Sequence, residues 1–134
     1  MKVHHIGIAV KSITKAVKKY ELLGYKVEKE IIWDKQRNIN ILFMTNGTER
    51  IELIETVDIS MESPVKNLLY LKTNMMYHIC FETNDIIKQI TQLQSQGFVI
   101  INKPDKAPAC EEKTVAFLFS RETGVIELIE VRGN

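Results

Sequence analysis

The chain contains an internal repeat, and a repeat constrains architecture before any single residue does. Three segments of the first half recur in the same order in the second half: residues 5–10 as 78–83, 24–27 as 97–100, and 51–55 as 126–130. Each half therefore runs from a strand that opens with His to a strand that holds Glu. Because each half has only about 65 to 70 residues, which is small for an independent domain, we expect two modules that share one sheet.

The repeated segments carry two kinds of side chain that bind metals. His5 of the first module corresponds to His78 of the second, and Glu52 corresponds to Glu127. Neighbouring side chains of a strand point to opposite faces, so all four residues can lie on the face away from the helices. Two imidazoles and two carboxylates suit a divalent first-row metal such as Ni, Co, Mn or Zn. We therefore expect His5, Glu52, His78 and Glu127 to bind one divalent ion.

The first module has the pattern of a strand, a helix and three strands. Ser12 offers a side-chain oxygen as helix N-cap, and Gly24 ends the helix as a C′ glycine. Asn46-Gly47 is a hairpin signal before the last strand. The expected strands are residues 2–10, 25–33, 39–44 and 50–55.

The second module repeats this order. Asn84 or Asp85 caps its helix, and Gly97 ends it. The expected strands are residues 77–83, 98–101, 114–120 and 125–131.

Two further segments lie outside the repeat. Residues 57–75 hold a polar linker and a short helix beginning at Ser63-Pro64, since Pro suits the first turn of a helix. Residues 103–112 contain two prolines and predict a long loop, of the kind that often covers a binding site.

Composition excludes several classes of function. The chain has 18 basic and 17 acidic residues, so its net charge of +1 gives no electrostatic case for nucleic acid. The sequence has no apolar run of the length that a membrane-spanning helix needs, and its start lacks the pattern of a signal peptide. Cys80 and Cys110 do not suggest a disulfide framework, so we expect two free thiols and a cytoplasmic location.

These motifs resemble the vicinal oxygen chelate superfamily, which includes glyoxalases, bleomycin-resistance proteins and dioxygenases. The resemblance covers nearly the whole chain and is closest to the methylmalonyl-CoA epimerase and glyoxalase I-like branch. The motifs that carry it are residues 5–11, 63–65, 77–82, 115–118 and 124–127.

The resemblance implies an α+β fold in a single domain, residues 1–134. Two tandem βαβββ modules, about 1–56 and 76–134, would flank a linker helix at about 57–75. Together they would form one curved eight-stranded mixed sheet around a metal site, with the helices on the outer face. The implied metal ligands are again His5, Glu52, His78 and Glu127, and a homodimer is expected.

The implied reaction is an isomerisation or lyase step through a metal-stabilised enolate, with Glu127 and Glu52 as candidate bases. The first expectation is an epimerase acting on an acyl-CoA thioester such as methylmalonyl-CoA. Glyoxalase I activity on a thiol–methylglyoxal adduct and a non-catalytic ligand-binding module are the alternatives. The chain departs from the epimerase pattern at Ala109-Cys110-Glu111 and at Gln36 or Arg37, and from the glyoxalase pattern at residues 121–124.

Overall fold

The computed structural model describes residues 1–67 and 75–132. The chain divides into two compact units, the first unit being His5–Tyr77 and the second unit Met1–His4 with His78–Asn134. The elements in chain order are β1 (Val3–Ala9), α1 (Ile13–Leu22), β2 (Lys26–Val27), β3 (Ile32–Asp34), β4 (Ile39–Thr45), β5 (Arg50–Thr56), β6 (Met75–Thr83), α2 (Ile86–Ser95), β7 (Val99–Ala107), a 3₁₀ helix (Pro108–Cys110), β8 (Lys113–Ser120) and β9 (Gly124–Glu130).

The first unit is a mixed sheet with a helix on one face. Its strands follow the order β2-β4-β5-β1, and β3 also pairs with β4. β1 runs parallel to β5, and the other pairs are antiparallel. On the helix side, Ile13 and Ala16 of α1 pack against a cluster that includes Leu42, Met44 and Leu53. Burial of this apolar stripe holds the helix on the sheet.

The second unit repeats this arrangement. Its strands follow the order β6-β9-β8-β7, with β6 parallel to β9 and the other pairs antiparallel. Ile86 and Ile90 of α2 pack against Ala116, Leu118 and Leu128 of the sheet. The prediction of an α+β fold with two tandem modules is confirmed, but the described residues hold nine strands in place of the expected eight, because one predicted strand of the first module is divided in two.

Both helices begin and end as the sequence predicted. The side chains of Ser12 and Asp85 accept hydrogen bonds from the backbone amides three residues later, which satisfies one orphan N–H group of each helix. Gly24 and Gly97 follow the two helices with φ of +95° and +98°, a conformation that only glycine adopts without strain.

The predicted single strand over residues 25–33 was wrong, because the chain forms two short strands there. Val27 pairs with Met44, and Ile32 pairs with Ile41. The five steps along the chain from Val27 to Ile32 therefore lie opposite only three steps along β4. The two extra residues lie in the charged stretch 28–30, which is poorly suited to a continuous strand. A bulge therefore separates β2 from β3.

The predicted loop at residues 103–112 was wrong over its first half. Strand β7 continues to Ala107, although its pairing with β8 shifts register on both sides of Asn102. Pro104 is tolerated because β7 stands at the end of the strand order, where a missing backbone N–H costs little. The rest of the segment is the 3₁₀ helix and the turn that follows, in which Glu111 and Glu112 both have φ near +60°.

The start of the linker is tied to the first unit through Asn38. Its side-chain amide donates to the carbonyl oxygen of Asp58 at 2.8 Å, and its side-chain oxygen accepts from the Asp58 amide at 3.0 Å. The hydroxyl of Ser63 accepts a hydrogen bond from the Lys66 amide, as an N-cap would. The body of the predicted linker helix falls on residues 68–74, which lie outside the described residues.

Neither cysteine forms a disulfide, as predicted, and both side chains are buried. Cys80 lies on β6, whereas Cys110 lies in the 3₁₀ helix rather than in an open loop. Within the described parts of the chain, no helix combines the length and apolar character needed to cross a bilayer.

Candidate metal centre

In the first unit, strand alternation brings His5 and Glu52 together on the face opposite α1. Ile51 and Leu53 of β5 belong to the cluster under the helix, so Glu52 between them points to the other face. β1 and β5 are in parallel register, with Ile6 opposite Ile51. The Nε2 atom of His5 lies 3.6 Å from Oε1 of Glu52, and the two side chains are 0% and 6% exposed.

The second unit builds the equivalent pair from β6 and β9. Ile126 and Leu128 join the cluster under α2, which directs Glu127 to the opposite face. The Nε2 atom of His78 lies 3.2 Å from Oε2 of Glu127, with side chains 1% and 4% exposed. Each unit thus brings one predicted imidazole and one predicted carboxylate into contact.

The chemistry of each pair fits a divalent metal ion. A buried carboxylate is costly unless a positive charge compensates it, and a divalent ion bound by the pair would supply that charge. Two ligand atoms bound about 2.1 Å from one ion lie about 3.0 Å apart at right angles and about 3.4 Å apart at the tetrahedral angle. The observed separations of 3.2 and 3.6 Å are close to these values. His and Glu side chains of both units are therefore suitable metal ligands.

An aromatic ring lies beside each His–Glu pair, a feature that was not predicted from the sequence. Phe43 of β4 is directly opposite Glu52 in the antiparallel ladder, and Phe117 of β8 is directly opposite Glu127. The ring centroid of Phe43 lies 5.2 Å from that of His5, and Phe117 lies at the same distance from His78. The available signal was the spacing of the two Phe residues, which are 74 positions apart, between the offsets of 73 for the two His and 75 for the two Glu.

The second Glu of each repeated strand has a different role from the first. Oε1 of Glu55 accepts a hydrogen bond from the backbone amide of Ile13 at 2.7 Å, and Oε2 of Glu130 accepts one from Ile86 at 2.9 Å. Ile13 and Ile86 are the first residues of α1 and α2. These carboxylates therefore satisfy orphan amides at the positive ends of the helix dipoles.

The positions where the chain departs from the epimerase pattern have local structural contacts. The guanidinium group of Arg37 donates to the buried carboxylate of Asp34 at 2.7 Å, within the turn between β3 and β4. Ala109 and Cys110 are buried in the 3₁₀ helix, and Glu111 ends that helix in a left-handed conformation.

Comparison with known proteins places these observations in context. Residues 4–119 match the family model described as the glyoxalase/bleomycin resistance protein/dioxygenase superfamily. The chain is 34% identical to the protein YqjC of Bacillus subtilis over 97% of this chain and 92% of that protein. It is 26% identical to human mitochondrial methylmalonyl-CoA epimerase over 97% of this chain and 72% of that protein.

A solved structure has the same fold. A hypothetical protein from Bacillus halodurans C-125 superposes with a TM-score of 0.84 and 28% sequence identity, covering 99% of this chain and 96% of that one. The likeness therefore extends over the full set of strands and helices described above.

Proposed function

The chain belongs to the glyoxalase/bleomycin resistance protein/dioxygenase superfamily, and on that premise we propose that it is a divalent-metal-dependent isomerase of the methylmalonyl-CoA epimerase type. The single observation that carries the proposal is the pair of buried His–Glu contacts, one in each unit, at separations suited to ligands of one ion. The similarity to a methylmalonyl-CoA epimerase supports an acyl-CoA thioester as substrate.

We propose that His5, Glu52, His78 and Glu127 together bind one divalent ion of the group Ni, Co, Mn and Zn. The in-register repeat of His and Glu supports this ligand set, because both modules contribute the same two residue types. A divalent ion bound there would polarise a substrate carbonyl and stabilise the enolate left when the α-proton departs.

The two carboxylates are the proposed acid–base groups. Glu127 and Glu52 are both buried on strands, each beside an imidazole, and neither packs into the cluster under its helix. A carboxylate in this position can accept the substrate α-proton at an oxygen and return it to carbon. Return to the opposite face of the same carbon gives epimerisation, whereas return to the neighbouring carbon gives glyoxalase-type isomerisation.

Metal stoichiometry tests the ligand set. Wild-type protein loaded with Ni²⁺, Co²⁺, Mn²⁺ or Zn²⁺ and freed of excess ion should retain one ion per chain by elemental analysis. Replacing either His5 or His78 with Ala should reduce retention of that ion by at least about tenfold. Losses of metal affinity of that size are seen even when a residue that only supports a metal ligand is replaced. Two ions per chain, or no loss in either variant, would contradict a shared four-ligand site.

Exchange of the substrate α-proton with deuterated water tests the reaction. Exchange on methylmalonyl-CoA in the presence of metal is the expected result. Exchange only on a thiol–methylglyoxal adduct would identify the glyoxalase alternative instead. Exchange on neither class, with metal bound, would favour the non-catalytic ligand-binding module.

Three expectations about the whole chain accompany this proposal. We propose that residues 1–134 fold as one domain, which a single cooperative unfolding transition would support. We also propose a homodimer, from the family resemblance. The molar mass measured by sedimentation equilibrium would test this oligomeric state. The two free thiols fit a cytoplasmic location, which fractionation of cells that express the protein would test.

A further inference from the structure

The Phe rings beside the two His–Glu pairs, Phe43 and Phe117, contact the imidazoles with similar geometry in the two units. The ring of Phe43 is inclined at 73° to the ring of His5, and that of Phe117 is inclined at 88° to the ring of His78. Both are edge-to-face contacts at a centroid distance of 5.2 Å. Two modules that differ in most side chains have thus kept the same contact beside the same residue type.

Packing under the two helices does not explain these rings. Leu42 and Met44, the neighbours of Phe43 on β4, belong to the cluster under α1, whereas Phe43 points to the other face. Leu118, next to Phe117 on β8, likewise packs under α2, whereas Phe117 points away from it and is only half-buried. The two rings therefore lie on the face of the metal ligands, outside both helix-packed clusters.

An edge-to-face contact restricts how an imidazole can rotate. The torsion that turns a His ring about its Cβ–Cγ bond has a broad profile, so the ring needs neighbours to select one orientation. Aromatic pairs favour edge-to-face geometry because the electron-rich face of one ring attracts the electropositive edge of the other. In both units the selected orientation directs Nε2 towards the paired carboxylate.

We propose that Phe43 and Phe117 are positioning residues, which hold the imidazoles of His5 and His78 with Nε2 directed at the metal site. This inference rests on the proposed metal-binding function. A ligand that is already oriented loses less freedom on binding, so each ring increases metal affinity without touching the ion. Neither Phe is a catalytic residue.

The test compares Phe43→Leu and Phe117→Leu with matched controls on the helix side of the same strands, Leu42→Ala and Leu118→Ala. Each Phe variant should weaken Zn²⁺ binding about three- to tenfold, the worth of one aromatic contact, as measured by competition with a chelator. The controls should lower the free energy of unfolding and leave the affinity within about twofold, because they remove buried volume away from the ligands. An affinity loss confined to the Phe variants separates positioning from general stability.

A variant that keeps the aromatic ring completes the affinity test. Phe117→Tyr keeps the ring that contacts His78, so this variant should bind Zn²⁺ within about twofold of wild type. Unchanged Zn²⁺ affinity in both Leu variants, with wild type binding normally, would overturn the positioning role and leave the proposed function intact.

Failure of wild type to bind Zn²⁺ or any other divalent ion would instead contradict the proposed function. The imidazole orientation is then read in metal-free protein, from crystal structures of wild type and Phe117→Leu. A rotated or disordered His78 ring in the variant supports the positioning role, and an unchanged ring overturns it.

Discussion

The two Glu residues of the last strand make one comparison especially informative. Glu127 and Glu130 lie three positions apart on β9, yet Glu127 contacts His78 on one face and Glu130 caps α2 on the other. The same substitution, Glu to Gln, keeps the shape and one oxygen at both sites and removes only the charge and the basicity. We expect it to impair turnover at one site and stability at the other.

The stability cost of Glu130→Gln follows from its contact. Its carboxylate accepts a 2.9 Å hydrogen bond from the first amide of α2. Replacing a charged acceptor with a neutral one costs about 1 kcal/mol, and loss of a negative charge at a helix N-terminus costs about 0.3–1 kcal/mol more. The free energy of unfolding should fall by about 1–2 kcal/mol, which lowers the midpoint temperature by roughly 3–8 °C for a chain of this size.

Turnover should show the opposite pattern. Glu127→Gln keeps one oxygen able to ligate but cannot accept an α-proton, so turnover should fall by about 10² to 10⁴, while most of the bound metal is retained. Glu130→Gln should keep turnover within about threefold at a temperature where it is folded. The assays are urea unfolding, elemental analysis and α-proton exchange.

Glu55→Gln and Glu52→Gln repeat the comparison in the first unit. The Glu55 carboxylate bonds the Ile13 amide and also accepts from the side chain of Asn40 at 3.1 Å, so its loss should destabilise at least as much as loss of Glu130. A large loss of turnover in Glu130→Gln without loss of stability would refute the assignment of roles to the two faces.

Three other expectations follow from the fold. Asn38→Ala should destabilise by about 2–4 kcal/mol in urea unfolding, because it removes the bonds to Asp58 and leaves a side chain at φ +60°, and Asn38→Gly should cost less because it relieves the strain. Gly97→Ala should cost about 1–2 kcal/mol, all of it from backbone strain, because a Cβ there would meet no atom within 4 Å. Cys80 and Cys110 should react with a thiol reagent rapidly only in denaturant, since both are buried; rapid reaction of both in the native protein would contradict that burial.

Features fixed by local chemistry were predictable from the sequence. Ser12 and Gly24 delimit α1 because a cap needs only a side-chain oxygen, and a C′ residue needs only freedom in φ. The faces of Glu52 and Glu127 followed from alternation with apolar neighbours. Each His–Glu contact was predictable because the repeat placed the same two residue types on corresponding strands.

Features that depend on the packing of distant segments were not predictable in this way. The role of Glu130 depends on the start of α2 lying over the end of β9, and nothing in the strand pattern reports that position. The break between β2 and β3 depends on register against β4. Phe43 and Phe117 were missed because an aromatic residue in an apolar strand is typical of any core, and only a spacing similar to that of the repeated His and Glu distinguished them.

The irregular strand β7 has a consequence for how copies of this chain can meet. A regular strand at the end of a sheet presents a row of free amides and carbonyls on which another chain can build. Lys103, Pro104, Asp105 and Lys106 give β7 three charges and a residue without an N–H, and its pairing with β8 shifts register twice nearby. These features disfavour growth of the sheet by strand addition at β7, so we expect copies of the chain to assemble through other surfaces.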